Sequence, residues 1–524
     1  MLRTAMILLL LAGPAAGALA AGPRSLDLPG PDVATLAAED AAARGGGGPE
    51  RFASPYDLSL APDDGDGWDR LPDGSHRWRL LVSAPGSLSL NFGFRRFDLP
   101  WGARLVIAGR QGPERTFTAA DNREDGQLWT PVVLGDTALV TLVLPPGDRD
   151  RFALELQRVS RGYRYFGDTD QSKQGVCNID VVCPEGDPWR RQIRSVAVYT
   201  VGGSWRCSGA MINNTGQDGT PYFLTANHCG VTSENAATVT VYWNFMSPEC
   251  GQLAGGSLEE TQTGAIWRAS YVATDMTLLE LSALPDTASR VSYAGWDRRG
   301  IDVAQAVAIH HPSTDEKAIS FEHDPLEITS YLSQVVPGNG THWRVVDWDL
   351  GTTEPGSSGS PLFDQARRII GQLHGGDAAC GNDESDWYGR FALSWEGGGD
   401  AASQLAPWLD PTGSGAETLD IYDPYGPQEP PVEPDGDQLA QLDGARPNPA
   451  VGSAQIHFRL ARAGHAKLSV YDLRGRRVVV LLDADLGVGD QTPLEFGAGA
   501  ASGRYFCRLE ALGEERTCGF TLLR

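Results

Sequence analysis

The chain has 524 residues, 41% of them hydrophobic, and a net charge of −24 from 67 acidic against 43 basic residues. At ~100 to 200 residues per domain this length predicts about three domains, each large enough to bury a core. The charge repels phosphate backbones and anionic lipid, which sets nucleic-acid binding aside.

In chain order, Met1 to Ala20 opens with Arg3, runs through the apolar stretch Met6 to Ala12 and closes on Ala18-Leu19-Ala20. This is the pattern of a secretory signal cut after Ala20 or Ala21. The apolar run is shorter than the ~18 residues of a membrane span, and no later run is long enough. Ala41 to Glu50, rich in Ala and Gly, reads as a flexible lead-in, so ordered structure is expected from Arg51 onward. From Trp78 short alternating runs take over: Ser87 to Phe92, Arg104 to Ala108, Ala138 to Leu144 and Phe152 to Leu156. They predict a β-sandwich without cysteine. Cys177 to about Asp423 holds six of the eight cysteines and also reads as short strands. Between 174 and 424 there are 32 acidic against 13 basic residues, so 19 of the 24 net negative charges fall here, a field that attracts cationic substrates. The proline-rich stretch 423–437 predicts a semi-rigid linker. Beyond it, Ile456 to Phe458, Ala466 to Tyr471, Arg477 to Leu482 and Tyr505 to Glu510 suggest a small Ig-like sandwich, with Cys507 and Cys518 on strands that pair.

Three motifs in the middle region carry chemistry. Thr225-Ala226-Asn227-His228-Cys229-Gly230 puts a histidine next to a cysteine able to pin it. Asp275-Met276-Thr277-Leu278-Leu279-Glu280-Leu281 puts an aspartate at the head of an apolar strand. Gly356-Ser357-Ser358-Gly359-Ser360-Pro361 puts a serine in a tight glycine-flanked turn that aims the Gly356 and Ser358 amides at a developing oxyanion. Histidine, aspartate and serine in that order, 47 and 83 residues apart, are the base, orienting carboxylate and nucleophile that acyl transfer needs. The expected centre is therefore His228, Asp275 and Ser358. His310-His311 lacks the His-Glu-x-x-His spacing of a zinc site and reads as a pair of loop histidines; no metal and no cofactor are expected.

Cys177 to Asp187, Tyr222 to Gly230, Val241 to Asn244, Ala294 to Arg299, Ala308 to Pro312, Thr353 to Pro361 and Gly371 to Gly376 together resemble the bacterial lysyl endopeptidases, a secreted branch of the trypsin superfamily. The resemblance implies a trypsin-like double β-barrel, the same triad, and disulfides Cys177–Cys380, Cys183–Cys250 and Cys207–Cys229. It also implies a specificity-pocket carboxylate in Ser385-Asp386-Trp387-Tyr388-Gly389, for which Asp386 is the candidate over Asp383 and Glu384, with His374 as the pocket histidine. The family's tryptophan that stacks on that histidine has no counterpart; Tyr331 is the nearest aromatic. Ser357 replaces the aspartate that precedes the nucleophile in vertebrate trypsins, so any maturation switch works otherwise. Phe117 to Asn122 and Leu128 to Val133 look like the pro-regions of such proteases. Arg446 to Ala450, Val470 to Val478 and Ser502 to Phe506 resemble type IX secretion sorting domains.

The expectation is thus an all-β preproenzyme: signal peptide 1–21, β-sandwich pro-region 22–173, protease 174–422, linker 423–437 and a sorting or attachment domain 438–524. It would be a secreted or surface-held monomeric serine endopeptidase acting on peptide substrates after basic residues, Lys ahead of Arg. The competing class is an inactive protease-like adhesion protein. Lysine occurs only at 173, 317 and 467, and Lys173 lies four residues before Cys177, which predicts self-cleavage at Lys173-Gln174. No Lys or Arg lies between Arg390 and Arg446, so such an enzyme does not shed its own tail there.

Overall fold

In a computed structural model of the chain, the described residues are 22–43, 48–62, 67–164, 166, 174–252, 255–301, 303–426, 440–446, 448, 450–460, 462–474, 476–487, 489–512 and 514–523. The expected signal peptide, Lys173 and most of the expected linker lie outside them. Two compact units divide the chain, one up to Gln428 and one from Glu429.

The first unit begins with two facing sheets. One has the order Arg24–Asp27, His76–Ser83, Thr137–Leu144, Arg104–Gly109, Arg115–Thr118; the other has Val133–Leu134, Ser89–Asp98, Ala153–Gly162, Ala53–Leu60. Alternation explains them: Thr137–Leu144 buries every second residue, and Leu80, Val82, Leu105, Ile107, Val140 and Leu142 meet Phe92, Phe94, Leu156 and Val159 in one core. Structure starts earlier than Arg51. Arg24–Asp27 forms a strand and Val33–Ala43 a helix, and Glu50, read as the end of the lead-in, forms with Arg51 a two-residue strand that pairs antiparallel with Trp205–Arg206. Alanine-rich sequence has high helix propensity, which the glycines after Ala43 obscured.

Two further sheets follow in the same unit. In the first, Thr261–Thr263, Thr240–Tyr242, Val196–Val201, Trp205–Met211, Tyr222–Ala226, Met276–Leu281 and Ala265–Tyr271 are neighbours in that order. In the second the order is Ile179–Asp180, Ala318–Glu322, Ala306–His310, Pro361–Asp364, Ile369–Gly376, Asp386–Arg390, His342–Val345, Glu327–Thr329. These are the two barrels of an all-β, trypsin-like fold. Val196, Ala210, Leu224, Met276 and Leu278 of the first share one core with Trp296, Ile309 and Phe363 of the second and with Phe391 and Trp395 of the helix Phe391–Glu396 that follows it, so the barrels pack on each other and leave a seam for a site. Disulfides join Cys177 to Cys380, Cys183 to Cys250 and Cys207 to Cys229.

The N-terminal sandwich grips the first barrel by more than the Glu50–Arg51 strand. Glu50 accepts hydrogen bonds from the buried Arg206 (2.9 Å), from Arg164 (2.8 Å) and from Thr314 Oγ1 (3.0 Å). Val132 N donates to Tyr242 Oη, and Phe166 packs edge-on against Tyr242.

The second unit is a two-sheet sandwich with its own core, including Ile456, Phe458, Leu468, Val470, Leu509 and Phe520. Cys507 and Cys518 lie opposite each other on paired strands and are bonded. Among the described residues no helix is long and apolar enough to cross a membrane.

Candidate active site

Register alone brings His228 to Asp275. Tyr222–Ala226 pairs antiparallel with Met276–Leu281, Ala226 opposite Met276, so the residues just past those strand ends meet. A single 3-10 turn, Asn227–Cys229, ends at Gly230 in the left-handed region (φ 75°) and turns the His228 ring back over the strand end. The Cys229–Cys207 disulfide anchors the turn. Asp275 is itself left-handed (φ 56°), a conformation that aspartate tolerates better than most residues. Its carboxylate is 3% exposed and holds His228 twice: Oδ1 accepts the His228 main-chain N–H (2.8 Å) and Oδ2 pairs with Nδ1 (2.6 Å). That fixes the ring and leaves Nε2 facing the seam, buried and without a hydrogen bond among the described residues.

Ser358 arrives from the other barrel. Its carbonyl accepts Ser208 N (2.9 Å) and lies 3.9 Å from Cys229 Sγ, beside the histidine turn. Ser358 Oγ and His228 Nε2 share no hydrogen bond here, an arrangement common where no substrate closes the contact. The loop before it is shaped by Gly356, whose φ is 97° and whose Cβ, were one present, would lie 2.3 Å from Thr314 Cγ2 and 2.7 Å from Thr314 N. Gly356 O accepts Ser208 Oγ (2.9 Å), while the amides of Gly356 and Ser358 donate to no acceptor among the described residues. Two free amides on one turn are the donors an oxyanion requires.

Ser357 is fully buried and bonds His310 Nδ1 (2.8 Å), whose Nε2 meets Ser320 Oγ (3.0 Å). Burial pushes His310 down to about 3, so this anchor of the loop is uncharged. Of the two expected loop histidines only His311 lies in a loop, and neither is exposed. His310 ends the strand Ala306–His310, both are fully buried, and His311 bonds the Asp315 carbonyl (2.9 Å).

The three acids near the expected pocket separate by burial: Asp383 and Glu384 are exposed, whereas Asp386, opening the strand Asp386–Arg390, is 1% exposed. Its Oδ2 accepts Trp348 Nε1 and Thr353 Oγ1, both at 2.7 Å, and its Oδ1 takes no hydrogen bond among the described residues. Burial raises the carboxyl to about 6 against the pull of those two donors. A Cβ on the facing Gly376 would sit 2.3 Å from Asp386 Oδ1, so only glycine leaves that oxygen reachable.

His374 ties pocket and centre together. Its ring stacks on His228 (centroids 5.5 Å apart), its Nε2 is 3.8 Å from Asp275 Oδ2, and Tyr331 lies flat on it at 3.6 Å. Tyr331 thus fills the stacking place the resemblance assigns to a tryptophan. His374 Nδ1 meets His342 Nε2 at 3.0 Å, and burial lowers His374 to about 4 and His342 to about 3, so the pair is neutral. Atoms of His228, Asp275 and His374 come within 4.8 Å of one another, the spacing of a metal site, but His228 Nδ1 is already committed to Asp275. Cys207 and Cys229, next to His228, are spent in their disulfide. Sequence reasoning missed His342 and Trp348, which belong to no motif, and the contacts of Thr353 and of Ser357 with His310, which lie in quoted stretches but meet their partners only through strand register or a loop crossing.

A family model for the lysyl endopeptidase C-terminal domain matches residues 171–389, and one for the lysyl endopeptidase N-terminal domain matches 66–162. A lysyl endopeptidase of Pseudomonas aeruginosa is 29% identical over 360 residues, covering 62% of this chain and 75% of the relative. Among solved structures, the human heparin binding protein is 16% identical (39% of this chain, 88% of that one, TM-score 0.28), and a Glu endopeptidase in complex with MPD is also 16% identical (38% and 85%, TM-score 0.25).

Proposed function

The chain belongs to the lysyl endopeptidase family and is a serine endopeptidase; from that premise we propose that it is an exported, self-processing enzyme that hydrolyses peptide bonds after basic residues, Lys ahead of Arg. The observation that carries the specificity is Asp386: a buried carboxylate with one oxygen saturated and the other bare. A substrate cation completes the ion pair, and an uncharged side chain leaves a buried charge unmatched. One open oxygen suits the compact ammonium of Lys; the planar guanidinium of Arg is matched best by two.

His228 Nε2 takes the Ser358 Oγ proton as Oγ attacks the scissile carbonyl carbon, and Asp275 holds the resulting imidazolium. The Gly356 and Ser358 amides receive the oxyanion. Collapse breaks the C–N bond, with the Nε2 proton passing to the leaving amine. Water, deprotonated by the same nitrogen, then frees the acyl group from Ser358. The neutral His374–His342 pair adds no charge beside Asp275, so that carboxylate's field acts on His228.

Domain roles follow in the same reading: residues 22–173 are a pro-region, 174–422 the protease, 423–437 a linker and 438–524 a sorting or attachment domain, with self-cleavage at Lys173-Gln174. Digestion of an unfolded protein, mapped by mass spectrometry, tests the specificity. New carboxyl termini should be Lys, with a minority of Arg, and none should form with Ser358→Ala. Termini spread over apolar residues would refute it. Amino-terminal sequencing of the secreted enzyme tests the junction, with a start at Gln174 expected.

A further inference from the structure

Beside the Asp275 carboxylate ends a chain of hydrogen bonds whose proton order is set at its far end. Asn339 Oδ1 accepts the Thr341 main-chain N–H (3.1 Å), which makes that atom the amide oxygen, an acceptor only. The Thr341 hydroxyl is 2.7 Å from the same oxygen and therefore donates to it. Thr341 Oγ1 is also 2.7 Å from His342 Nδ1. The hydroxyl has one proton and it is spent, so here Nδ1 carries the proton. His342 is 2% exposed and burial lowers it to about 3, so its ring is neutral and its Nε2 is a lone pair. That lone pair is 3.0 Å from His374 Nδ1, which must then be the N–H. His374, lowered to about 4 by burial, is neutral too, and its Nε2 is left bare.

The bare nitrogen faces Asp275. It lies 3.8 Å from Asp275 Oδ2, beyond hydrogen-bond reach, the spacing of two lone pairs rather than of a donor and a carboxylate. The order of the chain and this gap independently give His374 the same tautomer. Among the described residues the Asp275 carboxylate takes its hydrogen bonds from His228 alone. The titratable groups facing His374 are His228, stacked on it, Asp275, His342 and Tyr331, whose hydroxyl burial raises above its usual range.

We propose that His342 is a positioning residue that, with Thr341 and Asn339, fixes His374 as the Nδ1–H tautomer and so keeps a third donor off the Asp275 carboxylate. Its effect on rate rests on the triad reading; the tautomer does not. A donor on Oδ2 would spread the carboxylate's charge and weaken its hold on the imidazolium that forms on His228 as Ser358 Oγ gives up its proton. An imidazole left to itself beside a carboxylate takes the Nε2–H form. The chain from Asn339 refuses that form, and the charge of Asp275 goes to His228.

The tautomer is read by ring-nitrogen NMR of the full chain with Ser358→Ala, isotope-labelled at histidine, the His374 signals being those lost in His374→Gln. At neutral pH His374 should carry its proton on Nδ1, with Nε2 bare. Thr341→Val, at a half-exposed position, removes the acceptor that orients His342 and should move the His374 proton to Nε2; Thr341→Ser, which restores the hydroxyl, should return it to Nδ1. His342→Phe keeps a ring and removes the lone pair, and should also give Nε2–H; should it fail to fold, the Thr341 pair carries the test. In chains that retain Ser358, Thr341→Val should lower kcat about tenfold with KM nearly unchanged, the pattern of an interaction made in the transition state. The acid limb of kcat/KM should move to lower pH, since an imidazolium held less tightly loses its proton sooner. A proton on His374 Nε2 in the parent, an unchanged tautomer in Thr341→Val, or a changed tautomer with unaltered kcat and acid limb would overturn the proposal. A parent-like rate in His228→Ala would instead overturn the triad reading, and with it the effect on rate, while the tautomer measurement would stand.

Discussion

Asp386 shows how much one side chain decides. With Trp348 and Thr353 both on Oδ2, the carboxylate is positioned but not neutralised, and burial keeps its pKa up at about 6. Asp386→Asn should therefore reduce kcat/KM for Lys amides by about 10² to 10⁴, an estimate from the cost of leaving a buried charge unpaired. Reaction of Ser358 with a small acylating reagent should be nearly unchanged; equal losses in both assays would move the pocket elsewhere. Protonation removes the charge, so the ratio of Lys-amide cleavage to reagent acylation should fall as pH drops through about 6. That step should vanish in the Asn variant. The motif spelled out Ser358 and His228, but Asp386 could be chosen over Asp383 and Glu384 only through the family resemblance. Burial separates the three, and burial depends on where the strand starting at Asp386 sits in its sheet.

At the scale of elements, the catalytic loop depends on a turn whose Thr314 lies 42 residues before Gly356 in sequence. Gly356 has no room for a Cβ because Thr314 is there, and its φ of 97° is one that side chains disfavour. Gly356→Ala should displace the loop and cost about 10² to 10³ in kcat, the range for loss of an oxyanion donor, with a circular dichroism spectrum like that of the parent. A near-normal kcat would show that the Gly356 amide is not such a donor. Loss of the Cys207–Cys229 bond by paired substitution to Ala should destabilise the chain by ~2 to 5 kcal/mol in urea unfolding, since it closes the loop that carries His228. Strands of the N-terminal sandwich were legible as alternation, as Thr137–Leu144 shows in every residue, whereas strands of the protease sheets such as Val196–Val201 are buried throughout and were legible only as short apolar runs. The helix Val33–Ala43 was not, for among its residues of described burial, 33–42, only Leu36 is buried and no apolar stripe marks it. Contacts such as His342 with His374, or Glu354 with Gly175, join residues far apart in sequence and leave no local pattern to read.

For the whole molecule, the two units bury separate cores. A chain ending at Gly426 should therefore process and cleave Lys amides at the parent rate, while altering where the enzyme is found if 438–524 is an address; a large loss of rate would give the tail a catalytic part. The N-terminal sandwich shares more with the protease: a strand of the first barrel sheet, and Glu50 on the buried Arg206. Composition and motif order anticipated an all-β chain and a serine endopeptidase, while this shared strand escaped because a two-residue element has no pattern. The central claim is that His228, Asp275 and Ser358 hydrolyse peptide bonds with Asp386 selecting the residue before the cut. Its most direct test is the initial rate on matched Lys, Arg and Leu peptide amides, for the processed enzyme and for Ser358→Ala cut at the same junction. The account predicts Lys above Arg and both far above Leu, with a loss of about 10⁶ on removing Ser358 Oγ. A Leu amide cleaved as fast as Lys, or a Ser358→Ala rate close to that of the parent, would contradict it.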